Sequence, residues 1–368
     1  MIVKENEKIG EMIKNYLESI KKANLLNNLD YSICIDSIWF IYNGSAIKIS
    51  DYDKKASEFF FSNSYPSIIV NGNISRIDYE IIETIKDNIF TSVYKAKLSN
   101  GKLVAVKKIF KDKLKEEMKF SKCKDVITDE EFKPELDKFN REISNMKRCY
   151  CENSVEIFDY FDTEKEFIIL MELCDETLFH VLCRKENGFS AEEIKVILLQ
   201  LNNVFKEMNK QNISHRDIKL NNILVKHLNK EKTKFKVFLS DYGISNNLSS
   251  ITKKFMTYKG TQLIMAPEIL NEQPYNNKCD LWSLGINIYQ LYTKEFPYSA
   301  PVEKGILKQI KEKGKDVCNV IKEKKLKDLL SKLLESNPKK RISWEQYFNH
   351  PFFGNEEQEK EKDSCFIY

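Results

Sequence analysis

His215-Arg-Asp217-Ile-Lys219-Leu-Asn-Asn222, Asp241-Tyr-Gly243 and Ala266-Pro-Glu268 are the three phrases on which the fold turns. Each alone is weak, since a stray Asp-Tyr-Gly is most often a turn. In the first phrase, an aspartate followed by an asparagine on a loop can offer a carboxylate to a hydroxyl group and an amide oxygen to a hard metal ion. In the second, Asp241 supplies a further anionic oxygen, and Gly243 gives the turn a backbone freedom that a side chain would restrict. Upstream, Val104-Ala-Val-Lys107 ends a strand-like run on a lysine.

Outward from these phrases the texture of the chain changes near Tyr79. Ile81–Ile85, Ser92–Leu98 and Leu103–Ile109 read as strands, with Asn100-Gly101 turning the last two. A Lys/Glu-rich stretch from Lys111 to Lys133 reads as a solvated loop. A helical pattern through Phe139, Ile143 and Met146 follows, then strands at Val155–Tyr160 and Glu166–Leu173. Ser190-Ala-Glu-Glu193 is a capping box that opens a helix with Ile194, Ile197, Leu198, Leu201, Phe205 and Met208 on one face. Strands first and helices later predict an α+β fold in two lobes. Before Tyr79, residues 4–27 read as an amphipathic helix, and Asn43-Gly44 separates two apolar runs as a hairpin turn would. Residues 51–78 read as a loop or linker. The division expected is an N-terminal extension of unassigned role over 1–78, a main domain over 79–353, and an acidic tail over 354–368.

Composition narrows the classes. The chain has 368 residues, a net charge of +4, 31% charged and 42% hydrophobic residues. That is ordinary globular usage, and it argues against a disordered chain and a polybasic nucleic-acid binder. The nine cysteines are scattered among only four histidines, without zinc-site spacing, so reduced thiols in a cytoplasmic setting are expected, the nucleus being compatible with the same composition. No signal peptide or transmembrane segment is expected. Cys365-Phe-Ile-Tyr368 has the outline of a prenylation box, but its last letter and the acidic run before it predict an unmodified tail.

Taken in order and at their separations, Val104-Ala-Val-Lys107, the His215 phrase, Asp241-Tyr-Gly243 and Ala266-Pro-Glu268 resemble the signature set of the eukaryotic protein kinases. Gly260-Thr261, Asp280-Leu-Trp282-Ser-Leu-Gly285 and Asn337-Pro-Lys-Lys-Arg341 add to the resemblance, which covers about residues 79–353. It implies a two-lobed kinase fold using ATP and Mg²⁺ on protein substrates. Asp217 would be the catalytic base, with Asn222 and Asp241 as metal ligands. Lys107 would contact the α/β-phosphates and pair with a helix carboxylate, Glu142, or Glu135 as the fallback. Lys219, two residues after the base, resembles the Ser/Thr class, and Thr261 is consistent with it. The hinge would be Glu172-Leu-Cys174, guarded by Met171. Ile85, Val93, Ala105 and Leu224 would line the nucleotide site. Glu268 with Arg341 resembles a buried structural ion pair, and Asp280 would tie the catalytic loop. Arg216 implies an activation-loop phosphosite, with Thr257 the expected residue and an upstream activating kinase as a partner.

The resemblance fails at the phosphate-covering loop. Aligned on Val93, its three glycine positions fall on Lys86, Asn88 and Thr91, with Phe90 expected at the tip. Losing those glycines weakens or reshapes nucleotide binding, although Lys86 adds positive charge near the phosphates. The rival readings are therefore a pseudokinase scaffold and, less well supported, a kinase-fold enzyme acting on a small molecule.

Overall fold

The computed structural model describes residues 40–42, 45–47, 79–241 and 261–354. The chain divides into two units, Met1–Glu80 with Leu98–Lys102 and Ile81–Lys97 with Leu103–Tyr368. In the first, β1 (Phe40–Tyr42) and β2 (Ser45–Ile47) pair antiparallel, Tyr42 opposite Ser45, on either side of the Asn43-Gly44 dipeptide that predicts a hairpin. Gly101 sits at φ +83°, where a glycine is needed, and its N–H donates to the Leu98 carbonyl at 2.8 Å. The helix expected over 4–27, the loop over 51–78, Gly243, Thr257 and the tail from Asn355 lie outside the described residues.

The second unit is α+β. Its small lobe is an antiparallel sheet in the order β3 (Tyr79–Asp87), β4 (Thr91–Leu98), β5 (Leu103–Phe110), β7 (Glu166–Glu172), β6 (Ile157–Asp162). Strand β5 is central, and its successive residues Val104, Ala105 and Val106, which alternate between the two faces of the sheet, are all buried, as is Ile109. Lys107 is buried among them, a costly position that its partners must compensate.

The Lys111–Lys133 stretch is not a solvated loop. It forms α1 (Lys111–Lys122) and the first turn of α2 (Asp129–Arg148). Leu114 and Met118, four residues apart on one face, are buried in the same core as Ile127 and Phe132. Cys123 ends α1 in the left-handed region, and Thr128 with Glu131 starts α2 as a capping box. Few apolar letters suffice because both helices lie against a core made elsewhere.

The large lobe holds α3 (Leu178–Arg184), α4 (Ala191–Lys210), α5 (Thr261–Ile264), α6 (Pro267–Leu270), α7 (Lys278–Thr293), α8 (Glu303–Lys313), α9 (Lys324–Leu333) and α10 (Trp344–Phe348). Helix α4 opens with the predicted box, Ser190 accepting from the Glu193 N–H, and all six residues of its predicted face are buried. Ser190→Ala is expected to lower unfolding free energy by about 1 kcal/mol, read from the denaturant midpoint; no shift would mean that tertiary contacts alone hold this end. Helix α7 is buried on every side from Cys279 to Leu291, so it is the axis of the lobe. A Cβ on Gly285 would stand 2.9 Å from Leu334 Cδ2 and 3.0 Å from Leu333 Cβ, which is the close approach that requires glycine. Among the described residues no helix is long and apolar enough to cross a membrane, and the described cysteines are free thiols.

Candidate active site

A second sheet, in the order β10 (Phe235–Leu239), β9 (Ile223–His227), β8 (Glu176–Thr177), explains how two distant phrases meet. Antiparallel pairing sets Leu239 opposite Ile223. The residue before β9 therefore stands beside the residue after β10. The Ser240 N–H donates to the Asn222 carbonyl at 2.9 Å, which brings Asn222 beside Asp241.

Asp217 is 2% exposed. Its Oδ2 accepts from Lys219 Nζ at 2.7 Å and from Asn222 Nδ2 at 2.8 Å. Its Oδ1 is buried and has no hydrogen-bond partner among the described residues. An orphaned buried oxygen of this kind is costly unless water or a ligand satisfies it. Asn222 uses its amide nitrogen on Asp217, at the carbonyl as well as the carboxylate. Among the described residues no side-chain hydrogen bond engages its oxygen, which with Asp241 makes a pair of hard oxygen donors that suits Mg²⁺.

Lys107 pairs with Asp241 and not with Glu142 or Glu135. Glu142 is buried on α2, which settles its place but not the expected pairing. Glu135 and Glu142 both lie on α2, and neither forms the ion pair with Lys107. Burial alone would raise the Asp241 pKa; Lys107 by charge and hydrogen bond, then Lys86 and Lys219, outweigh it and hold the carboxyl below its ordinary value. Asp241 is itself at φ +57°, a region aspartate tolerates better than most residues.

Helix α7 holds the loop that carries Asp217. Asp280 accepts from the His215 and Arg216 N–H groups at 2.7 Å each, and Asn287 donates to the Ile218 carbonyl at 2.8 Å. This keeps Arg216 at φ +66°, a conformation that costs a residue with a side chain about 1–2 kcal/mol. Burial pushes His215 below the ordinary histidine range against the pull of Asp280, so it is a neutral strut, with Nε2 2.9 Å from the Ser240 carbonyl. Asn287 and Asn153, which donates to the Val237 carbonyl at 2.9 Å, are supports that no motif marks.

The remaining expected residues take these places. Ala105 and Met171 face each other across β5 and β7, both buried. Val93, opposite Lys107, Leu224 and Cys174 are partly buried against the core. Ile85 is 52% exposed on β3. Glu172 pairs with Lys226 at 2.7 Å, and the Cys174 N–H has no backbone partner among the described residues. Burial pushes the Cys174 thiol up to about 12, so it is no nucleophile. Thr261 is the first residue of α5. Phe90 is not at an open tip: it is buried, and its carbonyl accepts from the Phe110 N–H at 3.0 Å.

Comparison with known proteins agrees with this architecture. The family model for the protein kinase domain matches residues 79–353. The serine/threonine-protein kinase TIO of Arabidopsis thaliana is 31% identical over 77% of this chain, and cds1 of Schizosaccharomyces pombe 28% over 75%. The kinase pakG of Dictyostelium discoideum is 34% identical over 59%. The chain covers 20%, 58% and 18% of these three relatives, so it spans only part of their length. With the family match running through both lobes and every motif described above, the chain belongs to the eukaryotic protein kinase family.

Proposed function

We propose that this chain is a protein serine/threonine kinase that transfers the γ-phosphate of ATP to a serine or threonine hydroxyl of a protein substrate. The observation that carries the reading is the Asp217 carboxylate, with one oxygen held by Lys219 and Asn222 and the other buried without a partner. That second oxygen is placed to take the proton of the attacking hydroxyl. As the hydroxyl oxygen bonds to phosphorus, the bond to the ADP oxygen breaks, and Lys219 neutralises the charge that builds between them. Lys107 holds the α/β-phosphates, and the cleft between Ala105, Met171 and Leu224 takes the adenine. Asn222 and Asp241 would hold Mg²⁺, which would supply positive charge to neutralise the phosphates. Arg216, stacked on the Tyr275 ring at 5.7 Å, would receive an activating phosphate on Thr257 from an upstream kinase.

Labelled ATP with Mg²⁺ and a generic basic protein test the reading. Label is expected on serine and threonine, and Asp241→Asn is expected to remove it. Label on tyrosine alone would overturn the residue class. The glycine-less phosphate loop favours a second reading, a scaffold that binds nucleotide without transfer. Folded wild-type protein that binds ATP but transfers nothing, even after treatment with activating kinases, would establish that one.

A further inference from the structure

The loop that lacks glycines is a closed hairpin. Ser92 donates to Asp87, Asn88 Nδ2 reaches Thr91 Oγ1 at 3.5 Å, and the Asn88 N–H donates to the Thr91 carbonyl at 2.9 Å. The Phe90 carbonyl is tied to β5 as described. A backbone N–H that a glycine loop would turn toward a phosphate is therefore engaged within the hairpin, and the buried Phe90 holds the turn against the sheet.

A different cation stands at the same place. Asp87 is bonded to Ser92, the neighbour of Val93, and Val93 lies opposite Lys107. Lys86 is thus two strand spacings from Lys107, about 10 Å, within reach of an extended lysine side chain and a phosphate between them. Lys107 and Lys219 each have a carboxylate, Asp241 and Asp217. Lys86 has no ion pair among the described residues. Lys86 is exposed to solvent, and its ammonium is close enough to Asp241, Lys107, Lys219 and Asp217 to feel their charges. Burial lowers its pKa, with Asp241 opposing the shift and Lys107 and Lys219 adding to it.

We propose that Lys86 is a phosphate-binding residue, its ammonium taking over the role that loop backbone N–H groups would have had. The inference rests on the nucleotide reading above and deepens it. A triphosphate brings the negative charge that the cleft's own carboxylates leave unsupplied at Lys86, while Lys107 keeps its place on the other side. The site trades a flexible backbone cradle for a fixed hairpin and a mobile point charge.

The test is calorimetric binding of Mg-ATP and of adenosine to the full chain, as wild type, Lys86→Met, Lys86→Arg and Lys86→Gly. Loss of one charge-assisted contact predicts Mg-ATP binding weakened about tenfold in the Met and Gly variants, with arginine close to wild type. Adenosine, which has no phosphate, is expected to bind all four alike. The glycine variant is decisive, because it restores the residue usual at this position. If it binds Mg-ATP as tightly as wild type or more so, or if adenosine affinity falls in step, Lys86 is not a phosphate ligand. Wild type that binds no nucleotide would overturn the nucleotide reading along with it, whereas wild type that binds but transfers nothing would overturn catalysis alone.

Discussion

Asp217→Asn is expected to lower kcat for phosphate transfer by roughly 10²–10⁴-fold, the range that a general base contributes. The substitution keeps the shape of the side chain and removes the ability to take a proton. Nucleotide affinity is expected to hold, because Lys107 and Asp241, the residues proposed to hold the phosphates and the metal, are untouched. Stability is expected to hold too. Lys219 is a quarter exposed and can turn to water when its partner is neutralised, and the buried Oδ1 made no hydrogen bond to lose. Initial rates over a range of ATP and substrate concentrations, beside a melting curve, check all three. A variant with wild-type kcat and a raised KM for ATP would show that Asp217 binds nucleotide and that the base is elsewhere. A variant that melts early would show that the orphaned oxygen has a structural partner after all.

Asp217, Asn222 and Asp241 were legible because they sit in short phrases whose resemblance to the kinase signature set implies that they meet. The structure adds the means, an antiparallel register that lays Ser240 against Asn222. What escaped sequence reading depended on packing between elements. Leu114 and Met118 are too few to mark a buried face within a Lys/Glu-rich run, until the core around Phe132 and Ile127 is there to receive them. Phe90 reads as a loop tip from the alignment with the family's glycine loop, whereas the folded hairpin buries it and ties its carbonyl to the Phe110 N–H. Lys107 was expected to pair with Glu142, or with Glu135 as the fallback, and the folded chain pairs it with Asp241, a partner that lies 134 residues away in sequence. Lys86 was visible as a charge, but its lack of a carboxylate partner could be read only from the folded cleft.

The largest effect on stability is expected at Arg341. Its guanidinium is fully buried and makes two hydrogen bonds to Glu268, at 2.6 and 2.9 Å, and two more at 2.9 Å to the Glu335 and Lys278 carbonyls. It also lies 5.2 Å from the centre of the Trp282 ring. One side chain thus joins α6, which ends the activation segment, to α7 and to the loop before α10. Arg341→Met leaves the Glu268 carboxylate buried without its cation, a change that costs about 3–5 kcal/mol. For a domain of this size that lowers the melting temperature by on the order of 10 °C. Arg341→Lys is expected to recover little, since a point charge cannot make the paired bonds. The double variant Arg341→Met with Glu268→Gln separates the causes. If the orphaned charge carries the cost, the double variant melts above Arg341→Met alone. If it melts at the same temperature or lower, the four hydrogen bonds and the packing on Trp282 carry it instead, and the ion pair as such contributes nothing. Phosphate transfer by the double variant then reads the second role of the pair: Arg341 donates to the Lys278 carbonyl at the start of α7, whose Asp280 holds the loop that carries Asp217, so a loosened anchor reaches that loop as a lower kcat at temperatures where the protein is still folded.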